Sequence, residues 1–214
     1  MKKNIASKLG FWASVLGAVL GGSYLLVLIF HLLTEGFVNP NTPLVQLVGG
    51  IVIFLTVPVL VIQFTAIRFV NDGDNEVLGS LGVSFIILFA ATVSINRFVQ
   101  LTVIKQNLPD VPTDLTRFLP YAAGSVMYAL EWLGWGFFSS LAAVFVAPLF
   151  SSNLLGKTIR WLFVLYATFS FVGLIGFMTK TPMASTAFIA WGPIMLALTI
   201  LLSVYFHKFD RKVA

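Results

Sequence analysis

Six stretches of the chain, about 9–33, 45–69, 78–101, 118–147, 159–179 and 182–206, each run for twenty or more residues that are overwhelmingly apolar. A bilayer core about 30 Å thick is crossed by roughly 20 such residues at 1.5 Å per residue. Backbone groups in lipid have no water to bond, so each run must satisfy its own N–H and C=O groups as an α-helix. The ten-residue in/out alternation of a membrane barrel is missing. The sequence therefore predicts an all-α, polytopic transmembrane bundle of about six spanning helices, forming a single domain over residues 1–214. Composition agrees: 58% of residues are hydrophobic and 10% charged, against roughly 25% charged in soluble domains.

The charges that do exist orient the bundle. With the N-terminus inside, Lys2, Lys3, Lys8, Arg68, Lys157, Arg160, Lys208, Arg211 and Lys212 fall on the cytoplasmic side. Arg97, Lys105, Arg117 and Lys180 fall on the outer half. That asymmetry predicts both termini in the cytoplasm and a plasma-membrane location. It also accounts for the net charge of +5 without nucleic acid, since no stretch interleaves bases with stacking aromatics. Lys2, Lys3 and Lys8 ahead of an apolar run imitate a signal peptide, but the run is longer than the roughly 7–15 residues of an h-region and reads as a retained helix. The chain has no cysteine, which excludes disulfides and thiol chemistry.

The breaks carry turn chemistry, as in Asn39-Pro40-Asn41-Thr42-Pro43 and Asn71-Asp72-Gly73-Asp74-Asn75-Glu76. The latter lacks the spacing of a calcium loop and reads as a solvated turn. Around Lys180 the break is only a few residues, so the last two helices should be antiparallel neighbours. Ala13, Gly17 and Gly21 form a small-residue ladder, with looser versions at Gly79/Gly82 and Gly173/Gly176. Such ladders let helices approach closely, within one bundle more often than between copies. Pro58 and Pro193 should kink the second and sixth helices. No internal repeat of the kind found in inverted-repeat transporters is visible.

Two charges sit well inside apolar runs, Arg97 and Glu131. Each would cost on the order of 2.5–3.5 kcal/mol alone at a helix centre, and their depths differ by roughly 8 Å at the helical rise, within reach of an Arg side chain. On the fourth helix Tyr128, Glu131, Trp132 and Trp135 share a face. On the third, Thr92, Asn96 and Gln100 recur every four residues beside Arg97, and His31 of the first helix can approach from above. The expectation is an outer-half cavity lined by Glu131, Arg97, Asn96, Gln100 and Tyr128 and walled by Trp132 and Trp135. The competing expectation is that the pair only fixes helix register and the aromatics form an interfacial belt.

The Ala129-Leu130-Glu131-Trp132-Leu133-Gly134-Trp135-Gly136 stretch, the helix end near Ala147-Pro148 and the basic turn Gly156–Arg160 make the chain resemble small six-helix bacterial membrane proteins of unknown function. That resemblance implies a multi-pass membrane protein and carries over no activity, cofactor or site residue. Two roles stay open on the residues alone. One is a membrane component that binds a small molecule, lipid or partner helix at the polar cluster. The other is a proton-coupled or small-solute transporter with Glu131 titrating. An enzyme is disfavoured, because no nucleophile–base pair, metal set, H-E-x-x-H or phosphate loop is visible, and the two histidines, His31 and His207, fall on opposite sides. No cofactor is expected, and the residues assign no oligomeric state.

Overall fold

A computed structural model describes residues 2–35, 43–71, 75–107, 112–119, 124–150 and 153–213. Among them there is no strand, and six helices are long and apolar enough to cross a membrane. We label them α1 (Lys2–Glu35), α2 (Pro43–Val70), α3 (Glu76–Val99, prolonged by a π-helical turn Gln100–Ile104), α4, α5 (Leu154–Thr179) and α6. α4 is α-helical over Val126–Trp132, π-helical over Leu133–Phe138 and α-helical again over Ser139–Val146. α6 opens with a 3-10 turn Pro182–Ser185, passes through Thr186–Ile189 and a π segment Ala190–Ile194, and continues as Met195–Val213.

Each helix packs on its neighbour in sequence, and α1 returns against α6, so the six close into a ring. Large apolar side chains face outward from it, among them Leu26, Ile95, Trp161 and Ile175, each more than half exposed. Water would penalise such a surface at roughly 25 cal/mol per Å², whereas lipid does not.

Small residues set the close contacts within the ring. A Cβ on Gly10 would meet the Phe206 ring at 2.6 Å, and one on Gly82 would meet Val146 at 2.5 Å. Gly173 and Gly176 bring α5 onto the first turns of α6. Lys180, in the left-handed region at φ 55°, turns the chain sharply enough that the Thr181 N–H donates to the Gly176 carbonyl at 2.9 Å. α5 and α6 are thus a tight hairpin.

Several ends depart from the apolar boundaries. α1, α5 and α6 extend beyond 9, 159 and 206 because a helix continues into the polar zone once its backbone bonds are running. Asn153 caps α5 by accepting from the Gly156 N–H at 2.9 Å. α4 starts at Val126 rather than near 118: residues 113–118 form a separate 3-10 turn, Gly124 takes φ 78°, and Ser125 caps the helix by accepting from the Tyr128 N–H. Pro58 sits in an unbroken α-helical run. Pro193 lies in the π segment of α6, where the wider turn tolerates the missing N–H. The Asp72-Gly73-Asp74 part of the acidic turn and the Asn39–Thr42 break lie outside the described residues. At the rim of that turn, Arg68 pairs with Glu76 at 3.2 Å in an exposed position, a contact worth little by itself.

Candidate functional site

The ion pair forms. Arg97 on α3 and Glu131 on α4 are both buried, and the guanidinium Nη2 donates to Glu131 Oε1. The same oxygen accepts from the Trp135 indole N–H at 2.8 Å, and Glu131 Oε2 accepts from the Asn96 amide. Gln100 closes the circuit, accepting from Arg97 Nη1 at 2.7 Å and donating to Asn96 Oδ1 at 3.1 Å.

Chemistry dictates the sense of every bond. An ionised carboxylate only accepts, so Asn96 must turn its NH₂ toward Glu131 and its oxygen toward Gln100. Gln100 then presents its NH₂ to Asn96 and its oxygen to Arg97, which only donates. Five side chains from two helices are thereby joined in one closed arrangement, in which the buried charges face each other and polar neighbours, as burial of charge requires.

This circuit forms one wall of a cavity of about 300 Å³ inside the ring, at the lower end of the range for small-molecule sites. Arg97, Glu131, Tyr128 and Trp135 line it from α3 and α4. The opposite walls come from Gly17, Gly21, Tyr24 and Leu25 of α1, Ile53 and Thr56 of α2, and Phe188, Trp191 and Thr199 of α6. Apart from the Arg97–Glu131 end, the lining is mostly apolar and aromatic.

Not every expected residue faces the cavity. Asn96 and Gln100 are buried behind the pair and hold it rather than line the space. Trp132 also lies outside the lining: its ring stacks on Phe177 of α5 at 4.8 Å and packs against Trp191 at the same distance. It is a spacer between α4, α5 and α6. Thr92 spends its hydroxyl on the Leu88 carbonyl of its own helix. The side chain of His31 lies outside the described residues.

Beyond His31, no residue of α1 was expected at the site, and none of α6. The row Phe188, Trp191/Gly192, Met195/Leu196, Thr199 follows helical spacing, and the row Gly17, Gly21, Leu25 continues the small-residue ladder. Both are visible as stripes, but an apolar stripe in a membrane helix has the same appearance whether it faces a neighbour or a void.

The three π-helical segments among the described residues carry Gln100, Trp135 and Trp191 respectively. π-helix accounts for well under 1% of residues in globular proteins and recurs at functional sites. Here one such segment on each of three helices delivers a side chain to the same cavity or to the circuit behind it. Among the described residues no three His, Cys, Asp or Glu side chains gather as a metal set. Comparison with protein-family models, with curated proteins and with solved structures gives no match. Function is therefore read from geometry alone.

Proposed function

We propose that this is a single-domain plasma-membrane protein with both termini cytoplasmic, and that its cavity binds a small, mostly apolar molecule carrying one hydrogen-bonding group. The observation that carries this reading is the cavity of about 300 Å³ with Arg97 and Glu131 at one end. The pair is neutral as a unit and braced by Asn96, Gln100 and Trp135, so it offers a fixed dipole rather than a net charge. That suits an uncharged ligand whose body packs on Tyr24, Trp135, Phe188 and Trp191.

Gly21 provides the test. It lines the cavity, and a Cβ there would meet only Leu196 Cδ1, at 3.8 Å. Gly21→Leu should therefore fill the space without disturbing the walls. With the neutral aromatic fluorophore 1-aminoanthracene as ligand, protein in lipid nanodiscs should bind it in competition with co-purified lipid, and Gly21→Leu should weaken binding by about tenfold, or 1.4 kcal/mol, at unchanged melting temperature. Binding that survives Gly21→Leu would place the fluorophore elsewhere. Proton-coupled flux in liposomes that is lost in Glu131→Gln would replace binding by transport.

The proposed orientation has its own test. On a chain without cysteine, Asn4→Cys and Arg211→Cys should react with an impermeant maleimide only after cell lysis, and Met183→Cys in intact cells. The reverse pattern would invert the topology.

A further inference from the structure

The walls of the cavity are not equally covered. Val52, Ile53 and Thr56 of α2, Arg97 of α3 and Glu131 and Trp135 of α4 are buried. Tyr128, half-buried at the start of α4, packs edge-on against Phe177. On the remaining side Gly21, Leu25 and Leu28 of α1 and Gly192 and Leu196 of α6 are only half-buried, and Phe188 is 61% exposed while lining the space. The seam between these two helices loosens toward the end at which α1 finishes and α6 begins. A Cβ at Gly10 would stand 2.6 Å from the Phe206 ring, and beside it Ser7 Oγ donates to the Phe206 carbonyl at 2.7 Å. A Cβ at Gly17 would stand 3.2 Å from Thr199 Cγ2, one at Gly21 3.8 Å from Leu196 Cδ1, and one at Gly22 would meet nothing within 4 Å. The part of α6 facing the loose stretch is the π segment Ala190–Ile194, where Pro193 withholds a backbone N–H. α6 and its first turns run for 30 residues, about 45 Å at the helical rise, so a hydrocarbon core of about 30 Å begins about 7–8 Å in from its start. Phe188 stands about 9 Å in, beside lipid chains rather than water.

Polarity is graded along the space. At the deep end Thr56 and Thr199 spend their hydroxyl protons on the Val52 and Leu196 carbonyls, each at 2.8 Å. At the other end Glu131 has capacity to spare: a carboxylate offers about four lone-pair sites, and Asn96, Arg97 and Trp135 take three. The fourth calls for a donor, which a hydroxyl supplies and an ester or ketone does not. We propose that the cavity opens sideways into the bilayer between α1 and α6, with Phe188 at the mouth. Its occupant is an uncharged single-chain amphiphile whose hydroxyl donates to Glu131 and whose tail runs toward Thr199. This rests on the reading of the cavity as a ligand site and adds the class of ligand and its route. Under the proposed orientation a molecule of the outer leaflet is already aligned for entry, head outward and tail toward the midplane. A volume of about 300 Å³ suits one chain rather than a two-chain phospholipid.

Photolabelling in nanodiscs tests this, with a monoacylglycerol that carries a diazirine at the end of its chain. Thr56 and Thr199 are both buried, yet the label should reach one or both. The same chain on a sulfate head should label them at least about tenfold less, because it would bring a second anion beside Glu131 at membrane depth, where Arg97 is already engaged by Glu131 and Gln100. Gly21→Leu should abolish the labelling. Gly192→Leu, whose Cβ would meet only Leu25, at 3.4 Å, should do the same if Gly21→Leu does not fold. Labels confined to lipid-facing side chains such as Leu26 and Ile175, or equal labelling by the sulfate, would overturn the proposal. In that event 1-aminoanthracene binding that is lost in Gly21→Leu would still support a ligand site, and absence of that binding would bring down both readings. Quenching of the cavity-bound fluorophore by aqueous iodide would also overturn the proposal, since it would put the mouth in water.

Discussion

Glu131→Ala should destabilise the protein by about 3–5 kcal/mol, because removing one partner leaves the Arg97 guanidinium buried without its counter-charge. Thermal unfolding in detergent, followed by tryptophan fluorescence, measures the loss. Glu131→Gln is the more discriminating variant. Its oxygen can accept from Arg97 and Trp135, but its NH₂ then faces Asn96, which must turn its own oxygen inward. Asn96 would next offer its NH₂ to Gln100, Gln100 would turn its oxygen to Asn96, and its NH₂ would meet Arg97 Nη1, donor against donor. An isosteric change at Glu131 thus propagates round the circuit to break a bond three residues away, at a cost of about 1–3 kcal/mol for the unsatisfied group. The expected order of stability is wild type, Gln, Ala. Replacing both charges, as Arg97→Leu with Glu131→Leu, should recover most of the loss, since apolar substitutes for a buried pair are often neutral or better. If the double variant is as unstable as Glu131→Ala, the damage lies in packing and the ion pair is not what holds α3 to α4. Equal, negligible losses for Ala and Gln would mean that the carboxylate does not hold Arg97 at all.

How far this was legible from residues depends on whether the relevant physics is one-dimensional. Six spans follow from apolar length alone. The Arg97–Glu131 contact was within reach because an isolated charge in lipid must find a partner, and only two were available. Asn96 and Gln100 were found by their four-residue spacing, but their role as braces depends on proton directions that spacing does not encode. Trp132 and Trp135 share a helix face, yet the π segment that begins at Leu133 alters the turn between them, and only Trp135 reaches the cavity. No propensity rule places such a segment. Phe188 and Trp191 escaped notice because α6 contributes through its contact with α1, and ring closure between first and last helices leaves no local mark. The beginning of α4 was misplaced for a local reason: Gly124 and Ser125 were read as part of an apolar run when they are the break and the cap.

Gly176→Ala should disrupt the same site from the opposite side of the ring. An added Cβ would stand 2.1 Å from the Ala184 backbone N, 2.5 Å from the Met183 carbonyl carbon and 2.8 Å from Met183 Cβ. Flexible side chains withdraw from such contacts, but these are mostly main-chain atoms of a hairpin held by Thr181 N–H to Gly176 O at 2.9 Å and Ala184 N–H to Thr181 O at 3.1 Å. The first turns of α6 must therefore move away from α5, and overpacking of this kind costs about 1–3 kcal/mol or somewhat more. Gly22→Ala is the control, since nothing lies within 4 Å of its added Cβ, and a mid-helix alanine there should stabilise by about 0.5–1 kcal/mol. Two glycine-to-alanine changes in one bundle are thus expected to shift the melting temperature in opposite directions. Because Phe188 and Trp191 sit one to two turns beyond the displaced segment and line the cavity, Gly176→Ala should also weaken 1-aminoanthracene binding, whereas Gly22→Ala should not. A Gly176→Ala protein as stable as Gly22→Ala would show that the α5–α6 approach is looser than these distances require, and that the cavity wall does not depend on it.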